Sequence, residues 1–368
     1  MKSKIRHVLG ISGGKDSGAL AIYMKKKYPD LDIEYYCCDT GKELDETYEL
    51  ITNLENYLGK KILKLEAAKD SHEDPFDHFL KVYGGYLPSS NARWCTKKLK
   101  LEPFEKFVGN DPVVSYVGIR GDEEREGYIS KKPNVQSIFP FRKNIWSEDV
   151  INKLLKNNNI SSLSNSYSKY AEGEQLNRIL DIAHEPVTIM FPQNDKLKSL
   201  LDLSTAAFNK VVFDFLKHTS YPLANADGFS LLDNEDILVR NDIFKILRES
   251  GVGVPKYYEK VGFDINNKKG EYARSRSGCY FCFFQQKIEW VWLYEQHPDN
   301  FIKAMEYEKE GYTWMQDERL DELIQPNRIM QIKEDHLNRA NRNENKQSPY
   351  LMDILADAEE EGCAACFV

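Results

Sequence analysis

Short apolar runs alternate with segments of helical period over the first 120 residues. Val8-Leu9-Gly10-Ile11 is continuous and apolar, which predicts a buried strand over about residues 5–11, with a helix from Ser17 to Lys27 after it. Ile33-Glu34-Tyr35-Tyr36-Cys37-Cys38 predicts a second strand, ending at Asp39-Thr40-Gly41. Leu44, Tyr48, Ile51, Leu54 and Leu58 fall near period 3.6, so a helix is expected over Leu44–Leu58. Ile62–Leu65 and Val113–Ile119 read as further strands. This alternation predicts an α/β fold: an open, mostly parallel twisted sheet with helices on both faces.

The rhythm stops near Asn157. Residues 157–235 are rich in Asn, Ser, Lys and Leu and read as a helical insertion. The pattern resumes with a helix over Asp236–Glu249, ended by Gly251-Val252-Gly253-Val254-Pro255. Asp264–Lys269 reads as a polar loop, and Ile288–His297 and Phe301–Glu310 as helices with aromatic faces that pack. The expected division is a nucleotide-binding domain over 1–156, the insertion over 157–235, a C-terminal part over 236–340, and an acidic tail over 341–368 behind a mobile linker at 340–348.

Ligands of open parallel sheets bind beyond the carboxyl ends of the strands. Three such ends are polar here: Ser12-Gly13-Gly14-Lys15-Asp16-Ser17, Asp39-Thr40-Gly41, and Arg120 to Arg125. In the first, a glycine turn joins a strand to a helix. Successive N–H groups then face one spot beside a helix N-terminus, which suits a phosphate. A Walker loop is excluded, because Asp16 follows Gly14-Lys15, and so is the G-x-G-x-x-G spacing. The simpler alternative is a polar turn that caps a helix.

Charge and composition narrow the class. The 368-residue chain has a formal net charge of −8, which argues against a general nucleic-acid coat but leaves room for a local basic groove. It has no apolar run of membrane-spanning length and no signal-peptide core, so a cytoplasmic protein is expected. Seven cysteines in such a chain are not a disulfide framework. They group as Cys37-Cys38, Cys95, Cys279-x-x-Cys282 and Cys363-x-x-Cys366. The first pair reads as core. His72, His78, His184, His218 and His297 have no ligand spacing.

Ser12–Ser17 matches the SGGxDS signature of the PP-loop ATP pyrophosphatases in full. Further segments resemble that superfamily's phosphoadenosine-phosphosulfate reductase-like branch, in its order: Cys38–Tyr48, Arg93–Pro103, Gly118–Arg125, Phe139–Val150 and Arg276–Cys282. The DndC type, active in phosphorothioate modification of DNA, is the most similar in character, followed by enzymes that thiolate tRNA. The resemblance implies an adenine nucleotide alpha hydrolase-like fold and ATP cleavage between the α- and β-phosphates, leaving an adenylate. It implies a nucleotide site of Ser12, Gly13, Gly14, Lys15, Asp16, Ser17, Asp39, Thr40, Gly41, Gly118, Arg120 and Arg125. Lys15, Asp16 and Arg120 would be catalytic, and Asp16 and Asp39 would be ligands for Mg2+.

Cys95, Cys279 and Cys282 would hold a [4Fe–4S] cluster or zinc, or else pack as small apolar residues. Reductases of this kind carry Cys where Trp94 stands, so only three ligands remain. The tail pair Cys363 and Cys366 are candidate redox thiols, beside carboxylates that would blunt them. A nucleic-acid acceptor and a sulfur donor such as a cysteine desulfurase are the implied partners, with no membrane partner. The rival readings are a sulfonucleotide reductase and a non-catalytic nucleotide-binding subunit.

Overall fold

The computed structural model describes residues 4–123 and 132–344. Strands β1 (Arg6–Gly10), β2 (Ile33–Asp39), β3 (Ile62–Glu66), β4 (Val113–Tyr116) and β5 (Val135–Ile138) form one parallel sheet in the order β3-β2-β1-β4-β5. Helices lie on both of its faces. Val8 and Leu9 at its centre are fully buried, as strands covered on both sides require. The chain leaves β1 in one direction to β2 and later returns on the other side as β4. The strand order therefore reverses between β1 and β4, and a crevice opens at their carboxyl ends.

Helix α1 (Lys15–Lys27) follows β1 directly. Ala19, Leu20, Ala21, Ile22 and Met24 are all buried, so it is a central helix rather than a surface one. Helix α2 (Asp45–Leu58) ends at Gly59, whose φ of +63° is the left-handed cap that glycine adopts at least cost. The 157–235 segment forms helices at Ile160–Tyr167, Gly173–His184, Gln193–Leu203 and Thr205–Leu216. Their apolar faces share one core with α1 and the sheet, through Tyr167, Phe208 and Leu216.

A second, aromatic core lies beside it. Phe76, Trp94, Phe281, Trp290 and Trp314 are among its buried members. Trp94 packs 5.2 Å from Phe76 and from Tyr83 by ring centroids, and its indole N–H donates to the Tyr86 carbonyl at 3.0 Å. Trp290 and Trp292 are packing residues, as expected of an aromatic helix face, and so is Trp314, which lies outside the helices.

Four expectations need correction. Asp264–Lys269 is not a loop but the centre of a hairpin, β6 (Val261–Ile265) and β7 (Lys268–Tyr272). Asn266 and Asn267 take φ of +47° and +61°, the geometry of a two-residue hairpin turn, and the polar residues around them face solvent. The helix expected from Asp236 begins at Arg240, where Asp242 accepts from the Val239 N–H at 2.9 Å. The helix expected over Phe301–Glu310 is Pro298–Glu306, because proline sets its first turn. Where a linker was expected from residue 340, helix Pro326–Glu344 continues, tied to the second core by Ile332 and Leu337.

Candidate nucleotide site

The Ser12–Ser17 loop leaves β1 at the sheet's crevice. Gly13 has φ of +74°, and a β-carbon there would lie 2.2 Å from Thr47 Cγ2, so only glycine fits. Three short contacts close the turn: the Ser12 N–H donates to Ser17 Oγ (3.1 Å), Ser17 Oγ to the Gly14 carbonyl (3.2 Å), and the Gly14 N–H to Ser12 Oγ (3.3 Å). Gly14 is the N-cap of α1, and no side chain caps it. The positive end of the helix dipole therefore faces the crevice. Two tyrosines brace the turn from the far side of the sequence. Tyr257 donates its hydroxyl to the Gly13 carbonyl at 2.8 Å, and the Lys15 N–H donates to the Tyr258 hydroxyl at 3.4 Å.

Charge gathers on the same spot. Lys15 Nζ lies 3.2 Å from Asp16 Oδ2 and 4.8 Å from the centre of the Tyr258 ring. Burial lowers the Lys15 ammonium below its ordinary pKa, and Asp16 only partly offsets it. Arg120, from the loop after β4, places Nη1 2.9 Å from Asp16 Oδ1 and 2.5 Å from Glu123 Oε1. Burial works against its charge, but Asp16 and Glu123 outweigh that and hold it above its ordinary pKa. Gly118 lets the two loops touch: a β-carbon there would lie 2.9 Å from the Asp16 carbonyl oxygen.

The Asp39–Glu43 loop forms the third wall. Asp39 accepts from the Gly41 N–H and the Tyr48 hydroxyl, both at 2.9 Å, and pairs with Lys64 at 3.1 Å. Thr40 Oγ1 donates to Glu43 Oε1 at 2.7 Å and lies 3.2 Å from Cys279 Sγ. Cys279 also pairs with Glu43 as an antiparallel bridge, and the Tyr280 N–H donates to the Lys42 carbonyl at 2.9 Å. The Cys-x-x-Cys loop is thus laid along the wall as a short extra strand. Just before it, Ser277 sits over Gly14.

Residues 6–164 match the phosphoadenosine phosphosulfate reductase domain. This part of the chain belongs to that family, within the PP-loop superfamily. Similar proteins include an uncharacterised protein of Methanocaldococcus jannaschii, 34% identical over 146 residues (36% of this chain, 28% of that protein). An argininosuccinate synthase of Pelagibacter ubique is 31% identical over 171 residues (44% and 42%). A tRNA-specific 2-thiouridylase of Lactobacillus johnsonii is 31% identical over 118 residues (29% and 30%). The matched region spans less than half the length of each of these relatives. The domain is of the nucleotide-binding PP-loop kind. Among the described residues no helix is long and apolar enough to cross a membrane.

In this PP-loop domain Ser12, Gly13, Gly14, Lys15, Asp16, Ser17, Gly118 and Arg120 come together around the α1 N-terminus. Asp39, Thr40 and Gly41 line the neighbouring wall, with Asp39 and Thr40 engaged in holding its shape. Arg125, Cys363 and Cys366 lie outside the described residues.

The cluster expectation finds no support. Among the described residues no three His, Cys, Asp or Glu side chains form a group that could hold an ion. Cluster and zinc ligands are thiolates. Burial pushes the Cys279 and Cys282 thiols up, and Cys279 is engaged with the Thr40 hydroxyl at 3.2 Å. Cys95 packs against the aromatic core. For magnesium, Asp16 is already met by Lys15 and Arg120, and Asp39 by Lys64, so neither carboxylate is a preformed ligand.

Thr47, Tyr257, Tyr258 and Ser277 complete the site. Ser277 lies in a segment the resemblance marked. Tyr257-Tyr258 sits in a short turn after Pro255 and has no local signal; only the fold brings it to Gly13.

Proposed function

We propose that this chain is an ATP pyrophosphatase that adenylates an acceptor. ATP, as its magnesium complex, lies with its phosphates over Ser12–Ser17 and its adenosine toward Asp39–Gly41. An acceptor oxygen attacks the α-phosphorus, and the bridging oxygen to the β-phosphorus leaves with pyrophosphate. Lys15, the open amides of α1 and Arg120 stabilise the charge that grows on the leaving group. The observation that carries this reading is the meeting of a helix N-terminus whose own N-cap, Gly14, offers no side chain, with Lys15 and Arg120, at the β1–β4 crevice. The finer reading is sulfur transfer to a nucleic acid: donor-borne sulfur replaces the adenylated oxygen and AMP leaves. Relatives named as tRNA-specific 2-thiouridylases support it.

The test is pyrophosphate release from ATP with candidate acceptors, beside a Lys15→Ala variant. Release that depends on Lys15 supports the reading. Absence of release with every acceptor, together with unchanged nucleotide affinity in the variant, would overturn it. A sulfonucleotide reductase is the second reading, favoured by the family match and by the Cys279 thiol beside Thr40. Sulfite release from adenylyl sulfate in the presence of a dithiol reductant tests it. It ranks second because Trp94 stands where such reductases carry Cys.

A further inference from the structure

A separate cleft of about 510 Å3 opens on the outer side of the Cys-x-x-Cys loop, lined by Phe283, Phe284, Gln285, Arg328, His336 and Arg339 among others. This volume lies in the range of small-ligand sites. Phe283 and Phe284 are partly exposed and tilted against each other with centroids 4.3 Å apart. The Arg93 guanidinium sits over the Phe284 ring at 4.9 Å and that of Arg276 at 5.9 Å. Lys287 and Arg328 are neutralised by Glu318, with Asp317 also on Lys287. Asp335 also lines the cleft, but Arg93 and Arg339 make no ion pair among the described residues, so the rim keeps a net positive charge available to an anion.

The wall supplies a second, independent signal. Gln285 is 7% exposed; its Oε1 accepts from Arg274 Nη2 at 2.9 Å, and its Nε2 is buried with no partner. Behind it Arg274 is 2% exposed, with Nε and Nη1 also without partners and no ion pair among the described residues. Buried donors are almost always satisfied, so each orphan asks for a missing acceptor.

We propose that this cleft is a second nucleotide subsite, distinct from the phosphate loop. A flat heteroaromatic base stacks on the Phe283–Phe284 pair. A shift of the Gln285 side chain, whose amide N–H is buried in the free protein, gives that donor to one of its ring or carbonyl acceptors. Its phosphate meets Arg339 or Arg93. Arg276 and Ser277 form the partition: Arg276 faces Phe284, while Ser277 faces Gly14. The proposal rests on the adenylating reading only for its purpose, since the subsite would present the acceptor; the binding itself stands alone.

Calorimetric titrations of uridine 5′-monophosphate and of a hexamer of oligouridylate into the whole protein test it. The phosphate loop is first saturated with α,β-methylene-ATP. At least one ligand binds the parent, and Phe284→Leu weakens it about five- to a hundredfold, the range of one lost base–aromatic stack. Arg339→Glu, on an exposed side chain, also weakens it, and it carries the test should Phe284→Leu fail to fold. Binding by the monophosphate identifies a free nucleotide as occupant, and binding by the hexamer alone identifies a strand. If neither binds, or if both folded variants match the parent, the proposal is overturned. Failure of the ATP analogue to bind would instead count against the phosphate-loop reading, and the same titrations without it still report on the cleft.

Discussion

Ser277 stands over Gly14 so closely that a β-carbon on Gly14 would fall 2.6 Å from its hydroxyl oxygen. The contact joins the phosphate loop to the Cys-x-x-Cys segment, more than 260 residues later in the chain. Gly14 has φ of −90°, which alanine can adopt, so the demand for glycine is steric. Gly14→Ala should weaken ATP binding about tenfold, an overpacking cost of about 1–3 kcal/mol. Gly14→Ala with Ser277→Gly should recover most of it. Equal nucleotide dissociation constants for single and double variants would show that Ser277 is not the obstacle.

Tyr257 acts on the same loop from beneath. Tyr257→Phe removes the hydroxyl that satisfies the Gly13 carbonyl and should cost about 1–2 kcal/mol of stability. The effect on turnover should appear in KM for ATP more than in kcat, because the hydroxyl shapes the loop and touches no reacting atom. A change confined to kcat would contradict this assignment.

Lys15 and Arg120 differ from it in acting on charge. Lys15→Ala should lower pyrophosphate release about a hundred- to a thousandfold, the usual loss for one preorganised donor at a developing charge. Arg120→Lys should fall between parent and Arg120→Ala. A single ammonium cannot reproduce the fork that reaches Asp16 and Asp122 together. Rates for the three variants at saturating ATP give the ranking.

Stability should depend on pH through Glu318. Its carboxylate is held at about 2, first by the Arg328 guanidinium and then by Lys287. A carboxylate depressed in the folded state adds stability above its unfolded pKa near 4.5 and loses it as pH falls toward 2. Glu318→Gln should therefore cost about 1–2 kcal/mol at pH 7 after solvent screening, and almost nothing near pH 2. Denaturant titrations at the two pH values measure it; an equal cost at both would place the effect in packing.

The thiols give a chemical prediction. Burial pushes the Cys279 and Cys282 thiols up, so both should alkylate at pH 7 more slowly than a free thiol in solution. Protein prepared without oxygen should carry only substoichiometric iron and zinc. Stoichiometric iron or zinc retained through a chelator would return these cysteines to the ligand role. Cys279→Ala should cost about 1 kcal/mol, from the lost contact with Thr40.

The Ser12–Ser17 turn was legible in the sequence because its geometry is local. Gly13, Gly14, Lys15 and Asp16 act within one turn between a buried strand and its helix, and both elements announce themselves by period. The sheet's parallel class followed from the same alternation. The β6–β7 hairpin was not legible, because its strands are short and polar and its turn is Asn-Asn rather than Asn-Gly. The roles of the cysteines stayed open in the sequence for a related reason. Spacing fixes which thiols can come near one another, but whether they are thiolates depends on burial and on the Thr40 hydroxyl, which lies 239 residues from Cys279.

What the amino-acid order determined by itself was an anion-seeking turn at the end of a first buried strand, and the kind of sheet that carries it. Tertiary structure alone decided what surrounds that turn: Arg120 across the β1–β4 crevice, Tyr257 beneath Gly13, and Ser277 above Gly14. Strand order and the packing of a second aromatic core set those contacts. Neither leaves a periodic trace in the chain, because residues hundreds of positions apart meet through burial of apolar surface and not through any spacing between them.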